Sequence, residues 1–154
     1  MQHKEPQWVK LLIAYYGLLQ SLHLLVLIRA GAILLYTGRY PFPILPPPAG
    51  WAEQTLPFMV GLGITDSLGI LLGIIFAAQF LTHKRLNRRL GVISLTIFFT
   101  GAMVFAIGTR FAGAWAAHPL AYGLMAILFI PTPILLYWLL VSNLKQRPST
   151  HQTR

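Results

Sequence analysis

The sequence predicts an all-α integral membrane protein: a four-helix up-down transmembrane bundle with both termini cytoplasmic. Three observations lead there. First, 56% of the 154 residues are hydrophobic and 10% are charged, far below the roughly 25% charged residues of soluble domains. Second, four apolar stretches, near 8–36, 57–82, 90–112 and 119–143, reach or exceed the ~20 residues that cross about 30 Å of hydrocarbon. What remains is too short for a soluble domain, so 1–154 reads as a single transmembrane domain. Third, nine of the twelve Lys and Arg residues fall on one side of an even-numbered topology. Lys4 and Lys10 flank the start of the first span, Lys84, Arg85, Arg88 and Arg89 fill the basic loop 83–89, and Lys145, Arg147 and Arg154 follow the fourth. The opposite loops hold only Arg39 and the boundary residue Arg110. The positive-inside rule therefore places both termini and the 83–89 loop in the cytoplasm, with a plasma or inner membrane as the expected location. The net charge of +9 follows the membrane, so nucleic acid is not an expected partner.

The first span begins at Trp8, carries Tyr15 and Tyr16 ahead of a leucine-rich middle, and stops at Thr37 and Gly38. It is too long for the apolar region of a cleavable signal peptide and ends without a small-residue cleavage site, so it is expected to be retained. The extracytoplasmic loop 37–56 follows. Its prolines, at 41, 43 and 46–48, remove backbone donors and exclude a helix. Tyr40, Leu45 and Trp51 within it suit the bilayer interface or the top of a bundle, which predicts an ordered cap. A stiff linker is the plainer reading.

Span two starts at Pro57, where a missing N–H costs nothing. At about 100° per residue, Gly63, Asp66, Gly69, Gly73 and Ala77 share one face, a stripe of small residues holding one carboxyl group. Gly69 and Gly73 also have the small-xxx-small spacing that lets membrane helices approach closely, and helix packing is the simplest use of the stripe. Span three carries Ser94, Thr96 and Thr100 before Gly101 and Gly108, and the link from Ala112 to His118 is expected to be a tight turn into span four. Span four opens at Pro119 and contains Pro131, Thr132 and Pro133, which remove two helical hydrogen bonds and should kink it. Spans one and two do not resemble three and four in glycine, proline or charge placement, so an inverted-repeat transporter is not supported.

Charge within a span needs a physical reason. Asp66 in span two and Arg29 in span one would each cost roughly 2.5–3.5 kcal/mol at the centre of a lone spanning helix. Counting back from Tyr36 and Pro57 places them about 10 and 13 Å below the outer boundary, at similar depth on consecutive spans. An Arg29 to Asp66 ion pair is the simplest neutral arrangement, either as a register pin or as a polar site under the cap. Gln20 and His23 share a face of span one near mid-membrane. A neutral His23 bonded to Gln20 or to Thr100 is the expected state. Single axial ligation of a pigment or haem by His23 is the less favoured alternative. A bis-histidine site would need a second membrane histidine, and His3, His83, His118 and His151 lie near or beyond the boundaries. No other cofactor and no metal site is predicted. The absence of cysteine removes thiolate chemistry, and no carboxylate pair, HExxH motif or phosphate loop is present.

Pro46, Pro47, Pro48, Ala49, Gly50 and Trp51 lead into a span with an acidic residue, and the last span runs from Tyr122 to Ile130 and Pro131 and on to Ile134. In topology and in these two motifs the chain resembles the four-span superfamily of sterol isomerases and the sigma-2 receptor. Members of that superfamily carry further acidic residues around an intramembrane ligand pocket, where the first span here has Arg29 and His23. The likeness implies a lipid-like ligand.

Three functions are compatible with these residues. With little chemistry and ample packing motifs, the first is an accessory or scaffolding subunit of a larger membrane complex, with membrane lipids and other transmembrane subunits as partners. The second is an intramembrane protein or enzyme that binds a lipid or isoprenoid, using Asp66 as acid and His23 as its partner. The third is a small proton-coupled transporter built on the single membrane acid.

Overall fold

The computed structural model describes residues 5–39, 41, 44–50 and 56–145. Lys4, Tyr40, Trp51, Arg147 and Arg154 lie outside the described residues. The chain folds into helices α1 (Gln7–Thr37), α2 (Leu56–His83), α3 (Arg88–Phe111), α4 (Ala114–Ala117), α5 (Pro119–Phe129) and α6 (Pro131–Lys145). Four segments are long and apolar enough to cross a membrane: α1, α2 from Pro57, α3, and the joined α5 and α6 from Pro119 to Ser142. Their outer faces carry exposed Leu11, Leu18, Leu25, Ile64, Ile107 and Leu124. An apolar surface of this extent is what a helix bundle presents to lipid.

Each boundary has a local cause. Gly38 ends α1 in the left-handed conformation (φ 66°), its N–H bonded to the Leu34 carbonyl at 2.8 Å. Asn87 caps α3 by accepting from the Leu90 N–H at 3.2 Å. The link after α3 is more than a bare turn. Gly113 (φ 79°) starts the single turn α4, and the Trp115 indole N–H donates to Thr109 Oγ1 at 3.0 Å.

Helix α1 packs on α2, α2 on α3, α3 on α6, and α6 back on α1. The interior of this ring is filled towards the basic end. Val9, Ile13 and Tyr16 of α1 meet Phe76, Ala77 and Phe80 of α2, Leu95 and Phe98 of α3, and Leu135 and Leu139 of α6. At that end Arg88 Nη2 donates to Glu5 Oε1 at 3.1 Å and lies 5.8 Å over the Trp138 ring, which meets Trp8 edge-on at 5.9 Å. These contacts tie together the start of α1, the start of α3 and α6.

The other half of the ring is less closely packed, and the fourth span explains it. Pro131 and Pro133 interrupt the helix between α5 and α6, and no Cα of α5 comes within 8 Å of α1, α2 or α3. The break leaves carbonyls that must find donors away from water. The Ile130 N–H donates to the Ile127 carbonyl at 3.2 Å, where the Pro131 nitrogen has no hydrogen to offer. Thr132 Oγ1 donates to the Phe129 carbonyl at 2.7 Å, the acceptor that Pro133 leaves free, and the Tyr15 hydroxyl crosses from α1 to the Leu128 carbonyl at 2.5 Å. The kink is thus held by side chains chosen for it, and α5 stands off from the ring.

Candidate functional site

Where α5 stands away, a cavity of about 270 Å³ opens between α1, α2, α3 and α5. At ~30 Å³ per liquid water it is several times too large for an ion or a single water. Its walls are Leu, Val, Ile, Met, Phe, Ala and Gly, with two exceptions, His23 and Asp66. Phe98 forms the floor that separates it from the packed half. Its ring takes the edges of Tyr16 (5.8 Å) and His23 (6.0 Å) and stacks nearly parallel on Phe129 at 5.2 Å and 9°.

The roof is the proline-rich loop. Ile44 lines the cavity, the Tyr122 hydroxyl donates to the Leu45 carbonyl at 2.9 Å, and His118 Nε2 lies 3.2 Å from the Pro46 carbonyl. Residues 44–46 are therefore anchored to the start of α5, which is the behaviour of a cap rather than of a free linker.

Asp66 enters the cavity from α2 and leans on α3 at Gly101. A Cβ on Gly101 would overlap Asp66 Oδ1 and lie 3.1 Å from its Cγ, so only glycine leaves room for the carboxyl group. Oδ1 is buried and has no hydrogen-bond partner among the described residues. An acceptor left in that state is costly, about 1–3 kcal/mol or more for a charged group, unless something else supplies a donor.

The Arg29 to Asp66 pair does not form. Arg29 is exposed, and the ion pair found among the described residues is Arg88 with Glu5. Depth was matched but direction was not. Six residues from His23 at about 100° each, Arg29 is turned some 120° from His23 around α1. Thr100 is also exposed, so it cannot serve His23, whose ring instead meets Phe98. Gln20 is fully buried on the packed side of that floor, and neither of its side-chain polar atoms has a partner among the described residues. It lies beside Tyr16, whose hydroxyl is 3.4 Å from Ser94 Oγ.

The small residues of α2 divide between these environments. Gly63 lines the cavity. A Cβ on Gly69 would come 2.9 Å from Ile97 of α3, and one on Gly73 would come 2.9 Å from the Tyr16 hydroxyl and 3.0 Å from Gln20 Cγ of α1. Ala77 faces Gly17, where an added Cβ would approach to 2.7 Å. The stripe is thus spent inside the chain, on contacts with α1 and α3.

Sequence reasoning missed Gly101, Phe98 and Phe129. A signal for the first existed: Gly101 is ten residues from the end of α3 at Phe111, about 15 Å, close to the depth of Asp66. The two aromatic residues gave none, because phenylalanine is ordinary in a spanning helix. Comparison with protein families, curated proteins and solved structures finds no match for this chain, so the likeness to the four-span superfamily remains one of topology and two motifs.

Proposed function

We propose that this protein binds a lipid-like molecule within the membrane, its apolar body in the cavity and a hydroxyl or amine at its head donating to Asp66. The observation that carries the reading is Asp66 in the wall of an otherwise apolar cavity, its Oδ1 buried against Gly101 and without a hydrogen-bond partner among the described residues. Pockets for apolar ligands combine such walls with few orienting polar groups. His23 supplies a second, from α1. The basic loop and termini support an up-down course with both ends in the cytoplasm of a plasma or inner membrane, which puts the cavity in the outer half of the bilayer. The test is capture of a diazirine-bearing long-chain alcohol in phosphatidylcholine vesicles. Labelling should map to α1, α2 and α3 around His23, Asp66 and Ala102, and Asp66→Asn should weaken it while leaving insertion and melting temperature intact. Equal labelling of the variant and the parent would overturn the reading. An absorption spectrum of the purified protein checks the separate idea of a haem or pigment on His23.

The accessory-subunit reading is second. The stripe that suggested it is used internally, but Gly31, Gly61, Gly108 and Gly123 face open space, and exposed Arg29 would gain from a partner's carboxylate. Purification in mild detergent with no co-purifying protein would count against it. A transport pathway through one copy would have to cross the packed layer of Tyr16, Phe76, Leu95 and Leu135, so transport is the weakest of the three.

A further inference from the structure

We infer that the groove between α3 and α5 is a lateral portal through which the ligand passes between the bilayer and the cavity, with Phe129 and Met125 as its gate. The inference rests on the ligand-binding reading above. It begins with a second cavity, also about 270 Å³, on the outer side of α3 and α5. Phe99, Met103 and Ala106 of α3 form one wall and Ala126 and Ile130 the other, with Trp115 at one end. Ala102, Phe105, Met125 and Phe129 line both cavities, so a single layer of side chains separates them.

The elements behind that layer favour passage. Helix α5 has no close backbone contact with α3, which leaves the seam to side chains. At the other seam, which also lacks close backbone contact, the Tyr15 hydroxyl ties α1 to the Leu128 carbonyl. Phe129 is the last residue of α5, directly before the proline break, where a helix lacking two backbone donors bends most readily. Its ring rests face to face on Phe98, a contact that a turn about its side-chain bonds would release. Met125, one turn earlier, is unbranched and adapts its shape easily. None of the described residues of the outer groove is charged, so a molecule that dissolves in lipid meets no electrostatic barrier from them before it reaches Asp66. A ligand arriving from water would instead have to pass the roof held by Tyr122 and His118.

The chain has no cysteine, so a clamp is simple to introduce. In the full-length protein, Ala106→Cys and Ala126→Cys would be joined by a short bis-maleimide and reconstituted in phosphatidylcholine vesicles. Vesicles carrying the diazirine long-chain alcohol are then mixed in, and light flashes at successive times sample labelling of the cavity residues. The expected result is loading slowed about ten-fold or more by the clamp, with the same final labelling, because a gate alters rates and leaves affinity alone. Ala106→Trp, which fills the groove without a linker, should slow loading in the same way. Loading within about two-fold of the unclamped protein in both variants would overturn the portal while the binding site stands. No cavity labelling in the unclamped protein at saturation would remove the binding site and the portal together.

Discussion

The Asp66 carboxyl group lies against the bare backbone of Gly101, in space that any other residue there would occupy. This relationship makes a glycine on α3 responsible for the position of an acid on α2. It buries Oδ1 in the contact between α2 and α3, while Asp66 as a residue still lines the cavity.

Gly101→Leu should therefore do two things. Overpacking costs roughly 1–3 kcal/mol, which should lower the melting temperature in detergent, and displacement of Asp66 should reduce labelling by the long-chain alcohol. Gly108→Ala, on the same helix but facing open space, should change neither. The comparison is read by thermal-shift size exclusion together with photolabelling of both variants.

Arg29→Leu distinguishes the observed arrangement from a buried ion pair. With Arg29 exposed, its removal should leave stability unchanged or improve it, by no more than the ~2.5–3.5 kcal/mol that a charge costs at the centre of a lone span. Loss of about 3–5 kcal/mol, as when one partner of a buried pair is removed, would show that Arg29 neutralises Asp66 after all. Unfolding in mixed micelles with increasing SDS gives the sign directly.

Tyr15→Phe and Thr132→Val each remove one donor from the proline break in the fourth span. Interhelical hydrogen bonds in membranes average about 0.6 kcal/mol and reach about 1.7, the range expected for Tyr15→Phe, and loss of the local Thr132 bond should cost about 0.5–1.5 kcal/mol in the same titration. The Thr132 variant leaves the Phe129 carbonyl without its hydroxyl donor and should also change the rate of cavity loading, because Phe129 is the gate residue. An unchanged loading rate would separate the hinge from the gate.

Tyr122→Phe combined with His118→Ala should free the loop from the start of α5. Backbone amide exchange over residues 44–50 is expected to rise by about ten-fold or more, while exchange in α2 and α3 stays as in the parent. Unchanged exchange in the loop would mean that it is held by something other than these two side chains.

The all-helical class and the four apolar spans are legible in the sequence, and so are Asp66 and His23, the two polar candidates that line the cavity. Span length follows from helical rise, the apolar stretches follow from the cost of charge in hydrocarbon, and the proline break follows from two missing N–H groups. Asp66 stands out for the same reason, as the only acidic residue within a span. Depth along each helix can be counted, so Arg29 and Asp66 could be matched in height. What counting could not decide was azimuth and spacing between helices. Whether Arg29 faces the bundle depends on which face of α1 is taken up by Gly17, Tyr16 and Gln20 against α2, and that is settled by close packing around Gly73 and Ala77. The cavity likewise has no sequence signature. It exists because Tyr15 and Thr132 satisfy the carbonyls of a proline break and let α5 stand away from α3, a combination of distant contacts that only the tertiary structure brings together.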